Sequence, residues 1–321
     1  GNAIVVSGQS TALAQIERDW SPFSVRWYGS GTSALAAAVS AAVARKRVRA
    51  PEVIVPAYAC PDVVSAVLFA GATPVLVDFV PHRPWLDIEA CRRRANHNTV
   101  ALIAINFLGI SERVPLLRTV TAACDAVLIE DCAQAFPIGA EAMAALGGDM
   151  VVLSFGRGKP VSLLGGGAVL SRVEISRLLP PVDPSGAGLR TRAKFLLRAV
   201  TYNVLRRPRL YWLLNALPFA GLGKTVFKPL PALTPAQSSI EFLGVNVDRY
   251  RSMANRVREL RVGLGEVLSS RALDLAAACA VPDNARLLRF PLLIEPAACA
   301  RADNALRRAG LGSSRLYQVS L

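Results

Sequence analysis

Apolar residues in the first half of the chain come in short runs separated by longer segments with helical spacing. Val53-Ile54-Val55-Pro56, Pro74-Val75-Leu76-Val77-Asp78, residues 99–106, Ala126-Val127-Leu128-Ile129 and Met150-Val151-Val152-Leu153 read as strands. Residues 33–45, 63–70 and 114–123 read as helices, the second stopped by Gly71. Strands alternating with helices of about ten residues predict βαβ units and a mostly parallel sheet with helices on both faces. In such sheets ligands gather beyond the carboxyl ends of the strands, where Tyr58, Asn106, Asp131 and Ser154 fall.

Residues 151–154 and 167–171 can pair as strands around a glycine-rich turn. Residues 180–186, rich in proline and glycine, then mark a boundary. It divides a large α/β domain, 1–182, from a smaller α+β domain, 183–321. In the second part, residues 192–217 predict a basic amphipathic helix broken at Pro208. Residues 235–268 predict a long helix with a soft spot at Gly244, 287–295 a strand and 298–309 a helix. The C-terminal end is short for a completed small domain.

Composition narrows the class. Hydrophobic residues make up 52% of the 321, enough for a sizeable core. Six scattered cysteines and two histidines support neither a zinc site nor a disulfide framework, so the expected compartment is a reducing cytoplasm and no metal is expected. The net charge of +14 favours anionic partners such as phosphates or nucleotide-linked molecules. It is concentrated in residues 190–228, which hold nine cations and no acid. That segment reads as a solvated basic face, or as a docking surface for a phosphorylated substrate or a membrane. No nucleic-acid-binding signature accompanies the charge.

Two segments carry candidate chemistry. An acid closes one strand in Ile129-Glu130-Asp131-Cys132-Ala133-Gln134, and a lysine follows the next in Ser154-Phe155-Gly156-Arg157-Gly158-Lys159. An acid and a lysine at neighbouring strand ends are what pyridoxal 5'-phosphate chemistry requires. The amine holds the aldehyde as a Schiff base, and the carboxylate keeps the ring nitrogen protonated so that the ring is an electron sink. Upstream, Gly29-Ser30-Gly31-Thr32-Ser33-Ala34 opens a helix whose amides, with the Thr32 and Ser33 hydroxyls, make a phosphate seat.

Each feature alone has a plainer reading. The glycine segment fits a capped turn or, with Glu52 downstream, a dinucleotide fingerprint. Asp131 fits a helix cap, Glu130 a surface acid, Lys159 a solvated loop residue, and Gly165-Gly166-Gly167 a flexible turn. The order of seat, Asp131, Ser-Phe-x-x-x-Lys and glycine run favours the pyridoxal phosphate reading.

With these motifs the chain resembles the DegT/DnrJ/EryC1/StrS family, the sugar aminotransferases of the fold type I pyridoxal phosphate enzymes. Besides the two segments above, the resemblance rests on Ser30-Gly31-Thr32-Ser33-Ala34-Leu35, Glu52-Val53-Ile54-Val55-Pro56-Ala57-Tyr58 and residues 70–78. It covers residues 27–171. It implies that Lys159 binds the aldehyde and shuttles a proton, and that Asp131 pairs with the ring nitrogen. It further implies that Gln134 sits near the ring's phenolic oxygen and that Gly31, Thr32 and Ser154 hold the phosphate. Members often stack a large aromatic on the ring where this chain has Cys60, which leaves Tyr58 as the stacking candidate. Leu230-Pro231-Ala232 replaces the usual asparagine-aromatic-arginine stretch before Thr234-Pro235-Ala236-Gln237, with Lys228 a candidate substitute for its cross-subunit contact.

The implied reaction is amino transfer from glutamate or glutamine to a keto sugar, usually nucleotide-linked, in polysaccharide or amino-sugar biosynthesis, by a homodimer. Family dehydratases carry histidine at the Lys159 position, so the lysine points to transfer. A sugar dehydratase, a nicotinamide-dependent oxidoreductase and a non-catalytic scaffold remain as alternatives.

Overall fold

The computed structural model describes residues 3–8, 11–182, 188–205, 226–255, 258–260, 262–263, 273–282 and 285–308. Seven strands make one sheet: β1 (Ser24–Tyr28), β2 (Glu52–Pro56), β3 (Thr73–Val77), β4 (Thr99–Ile105), β5 (Val127–Asp131), β6 (Met150–Ser154) and β7 (Gly167–Ser171). Their order is β1-β7-β6-β5-β4-β2-β3. From β3 to β6 every pairing is parallel, and β7 runs antiparallel to both β6 and β1. The fold is thus the mostly parallel α/β sheet that the alternating runs predict, with strand ends within about two residues of the expected positions.

Helices cover both faces. They are α1 (Leu13–Asp19), α2 (Gly31–Lys46), α3 (Pro61–Phe69), α4 (Ile88–Arg94), α5 (Val114–Ala123), α6 (Ala140–Ala144), α7 (Val173–Ser176), α8 (Leu189–Leu205) and α9 (Leu243–Ser252). Ala34, Ala36, Ala37, Ala38, Ala41 and Ala42 of α2 are fully buried against Ile103, Ile129, Val152 and Val169. Small side chains let this helix lie close to the sheet. The opposite face of β2, β4 and β5 packs Ile54, Leu102 and Leu128 on Leu117 and Val120 of α5.

Phe195 and Ala199 of α8, with Leu243 and Val247 of α9, join a third cluster containing Trp20, Phe136, Phe155 and Leu170. Asn203 of α8 and Asn246 of α9 each exchange two hydrogen bonds with the backbone of residues 4 and 5. The N-terminal strap is therefore tied to both helices.

Several expectations change. The helix expected from 192 begins at Leu189 and is described to Leu205, and the rest of that segment, including the expected break at Pro208, lies outside the described residues. The helix expected from 235 is a 3-10 turn (Ser238–Phe242) followed by α9. Pro235 is held extended by a bridge to Tyr28, and the Thr234 carbonyl accepts the Gly29 N–H at 2.7 Å, so helix cannot begin there. The strand expected over 287–295 shortens to Leu292–Leu293, antiparallel to Leu273–Asp274. Strand β1 and helix α4 have no counterpart in the sequence reading. Arg26 interrupts the apolar pattern of β1, and its guanidinium donates to the Leu179 carbonyl at 2.8 Å.

Candidate active site

In the sheet register, Ile105 of β4 stands beside Asp131 of β5, which stands beside Val152 of β6. All three reach one cavity of about 310 Å³ at the carboxyl end of the sheet. Alternation along β5 sends the next acid the other way. Glu130 is not a surface acid but is buried behind the cavity, accepting N–H bonds from Gly147 and Gly148 and one from the Asn106 amide. Asn106 in turn accepts the Glu112 N–H at 2.9 Å, and Glu112 accepts the Leu86 N–H at 2.8 Å. This polar net braces the loop between β4 and α5.

Asp131 is 6% exposed, and its Oδ1 accepts the Ala133 N–H at 2.8 Å. Burial raises its pKa above the ordinary aspartate value, while the Ala133 N–H and the positive charge of Lys159 pull it down. A desolvated carboxylate on a cavity wall, held by one backbone donor, suits a cationic N–H partner.

Lys159 reaches the same cavity from the turn after β6. Phe155 is fully buried, its N–H donates to the Gly166 carbonyl at 2.9 Å, and its own carbonyl accepts the Leu163 N–H at 2.7 Å. The turn passes through Gly158 at φ +75°, a left-handed conformation that favours glycine, and the Lys159 N–H closes it on the Gly156 carbonyl at 3.3 Å.

The N-terminus of α2 borders the same cavity. Ser30 caps the helix by accepting the Ser33 N–H at 3.0 Å. Gly31 and Thr32, whose first-turn amides have no intrahelical acceptor, line the cavity together with Ser154. A Cβ on Gly31 would stand 2.5 Å from Ser154 Oγ, so only glycine lets helix and strand approach this closely. Such a seat binds an anion through amides and helix dipole.

Six of the eight sequence-predicted residues therefore line one cavity: Gly31, Thr32, Asp131, Gln134, Ser154 and Lys159. Gln134 also accepts the Leu108 N–H at 3.0 Å, which fixes it to the loop after β4. The other two lie outside the lining. The Ser33 hydroxyl is buried and sits 3.0 Å from that of Thr234. The Tyr58 ring packs against Phe107 with centroids 5.7 Å apart.

Cys60, Asp62 and Phe107 are lining residues without a sequence-predicted role. Burial, the leading cause, pushes the Cys60 thiol up to about 11, which keeps it protonated at neutral pH. Asp62 accepts the Thr32 hydroxyl at 3.2 Å, placing an acid beside the anion seat. From the later part of the chain, the Leu288 N–H donates to the Leu108 carbonyl at 2.8 Å. The neighbouring Arg289 guanidinium comes 3.9 Å from where a Cβ on Gly158 would be.

Residues 26–176 match the DegT/DnrJ/EryC1/StrS aminotransferase family, which bears out the resemblance carried by the motifs. GDP-perosamine synthase of Vibrio cholerae is 29% identical over 125 residues, 39% of this chain and 34% of the relative. UDP-N-acetyl-3-dehydro-alpha-D-glucosamine 3-aminotransferase of Acidithiobacillus ferrooxidans is 34% identical over 90 residues, 28% of this chain and 24% of the relative. These matches span about a third or less of each relative's length. Among solved structures, NtdA of Bacillus subtilis with bound cofactor PMP superposes with a TM-score of 0.65 at 16% identity, covering 95% of this chain and 63% of that one. The fold is thus that of the fold type I pyridoxal phosphate enzymes.

Proposed function

We propose that this protein is a pyridoxal 5'-phosphate-dependent aminotransferase acting on a keto sugar, with glutamate or glutamine as amino donor and a nucleotide-linked sugar as acceptor. One observation carries the reading: a buried carboxylate, a lysine amine and an anion seat at a helix N-terminus share one cavity. That set matches a molecule with an anionic phosphate at one end, a basic ring nitrogen at the other and an aldehyde between. It does not match a dinucleotide, which would leave Asp131 and Lys159 without a role.

When bound, the cofactor supplies an aldehyde for an amine and an electron-withdrawing ring. Gly31, Thr32 and Ser154 would hold its phosphate, and Asp131 its ring nitrogen. Cys60 is too small to stack, and Phe107, an aromatic residue of the same lining, would cover the ring. The Lys159 amine would take a proton from one substrate carbon and return it to the other, as a general base beside a cationic ring. Buried Leu35 and Val63 form part of the apolar wall and limit water at the reacting centre. Arg289, beside the lysine turn, offers a cation to an anionic substrate. A nucleotide-linked acceptor fits the names of the two relatives, and a homodimeric enzyme of amino-sugar or polysaccharide assembly is the setting the family resemblance implies.

The test is the visible spectrum of the protein titrated with pyridoxal phosphate, followed by borohydride reduction and peptide mapping, for wild type and Lys159→Ala. The expected result is a band that borohydride fixes as a mass increment on Lys159, absent from the variant. A folded wild type that yields no band and no labelled Lys159 refutes the reading. A positive result leads to screening nucleotide keto sugars with glutamate.

A further inference from the structure

The 17-residue helix α8 is about 25 Å long at 1.5 Å per residue. One side is anchored in the protein through Phe195 and Ala199. The other side is uncovered although much of it is apolar: Leu189, Leu197, Val200 and Val204 are exposed at 86, 69, 54 and 39%. With exposed Ala193 these residues fall within an arc of about 80° at 100° per residue, a continuous stripe along the helix. Arg190, Lys194 and Arg198 occupy the adjacent arc of about 80° and are exposed as well. The helix carries no acid. Of its four cations only Arg192 is ion-paired among the described residues, to Glu241 at 3.1 Å.

We infer that α8 docks this protein onto an anionic lipid surface, lying flat with its apolar stripe at the acyl boundary and its cationic stripe among the headgroups. An isolated exposed leucine needs no partner, but an ordered stripe beside parallel cations does. Charge selects the occupant. A second copy of this chain carries the same net charge of +14 and offers no acid on this helix, whereas an anionic bilayer satisfies both stripes together. Among the described residues no helix is long and apolar enough to cross a membrane, so this contact lies on the surface.

The experiment is vesicle sedimentation of the full 321-residue chain at low and high salt. One vesicle preparation is phosphatidylcholine and the other replaces part of it with phosphatidylglycerol. Two variants are compared, Leu197→Ser/Val200→Ser and Arg190→Gln/Lys194→Gln/Arg198→Gln. All changed positions are exposed, and thermal melts verify folding. The expected result is that wild type pellets with the anionic vesicles at low salt and is released by high salt, and that each variant binds at least about tenfold more weakly. Wild type that stays in the supernatant overturns the inference, as does binding unchanged in both variants. Dissociation of a dimer by Leu197→Ser/Val200→Ser in light scattering would assign the stripe to a second copy and overturn it equally.

Discussion

Replacing Gly31 with alanine tests how α2 and β6 are held together to form the anion seat. The added Cβ would lie 2.5 Å from Ser154 Oγ, 2.6 Å from Ser154 Cβ and 3.4 Å from its Cα. Carbon atoms in contact normally sit about 3.5–4.0 Å apart, so the deficit against Ser154 Cβ is about 1 Å. Rotating the serine side chain moves Oγ but not Cβ. That Cβ is fixed by β6, whose Ser154 is in register with Gly167 of β7. Helix or strand must therefore shift, at about 1–3 kcal/mol for overpacking, against which alanine's better helix propensity returns less than about 1 kcal/mol.

Gly31→Ala should lose about 1–2 kcal/mol and a few °C in Tm. Its pyridoxal phosphate affinity should fall as well, because the seat amides move. Ser154→Gly removes both close atoms, so Gly31→Ala/Ser154→Gly should recover the alanine penalty. Denaturant unfolding of the four proteins then yields a favourable coupling energy of about 1–2 kcal/mol. Gly31→Ala as stable as wild type, or a double variant showing simple additivity, would refute the close-approach argument.

Three further outcomes follow from the site. Asp131→Asn should keep the fold and melt no lower, since it removes a desolvated charge, but turnover should fall by about 10²–10³-fold, the scale of one lost preorganised electrostatic group; turnover within tenfold of wild type would exclude Asp131 from the role proposed. Asp62→Asn should tighten pyridoxal phosphate binding by about threefold in a spectroscopic titration, because a like charge leaves the anion seat; weaker binding would show that Asp62 instead orders the Thr32 hydroxyl. Burial raises the folded-state pKa of Glu130 above the ordinary 4.5, so the folded state binds more protons between that value and the raised one. Stability should then fall as pH rises through this window, and Glu130→Gln should flatten that slope in urea melts at pH values either side of it; an unchanged slope would place the effect on Glu112 or Asp131, which are raised likewise.

Much of this molecule is legible from order along the chain. Strands β4, β5 and β6 announce themselves as apolar runs because both their faces are covered. The lysine turn and the helix seat do so because glycines and hydroxyls cluster where backbone must approach backbone. Strand β1 was hidden: it runs antiparallel to β7 at the sheet edge, and an arginine that serves a distant carbonyl breaks its pattern. The positions of Ser33 and Tyr58 were equally hidden. Proximity to the right motif does not decide whether a hydroxyl meets the cavity or Thr234, or whether a ring meets the cavity or Phe107.

The sequence by itself pointed to the parallel sheet and to Gly31, Asp131 and Lys159 as neighbours at its carboxyl end, because these depend on local periodicity and on which strand end carries which residue. Only the tertiary structure decided which of Glu130 and Asp131 meets the cavity, since alternation along β5 turns them opposite ways but the packing around the sheet sets the side on which the cavity lies. It alone also brought Asp62 beside the seat and Phe107 to the cavity wall. And it left one stripe of α8 bare while burying the other, because contact across the fold, not spacing along the chain, settles which apolar face is covered.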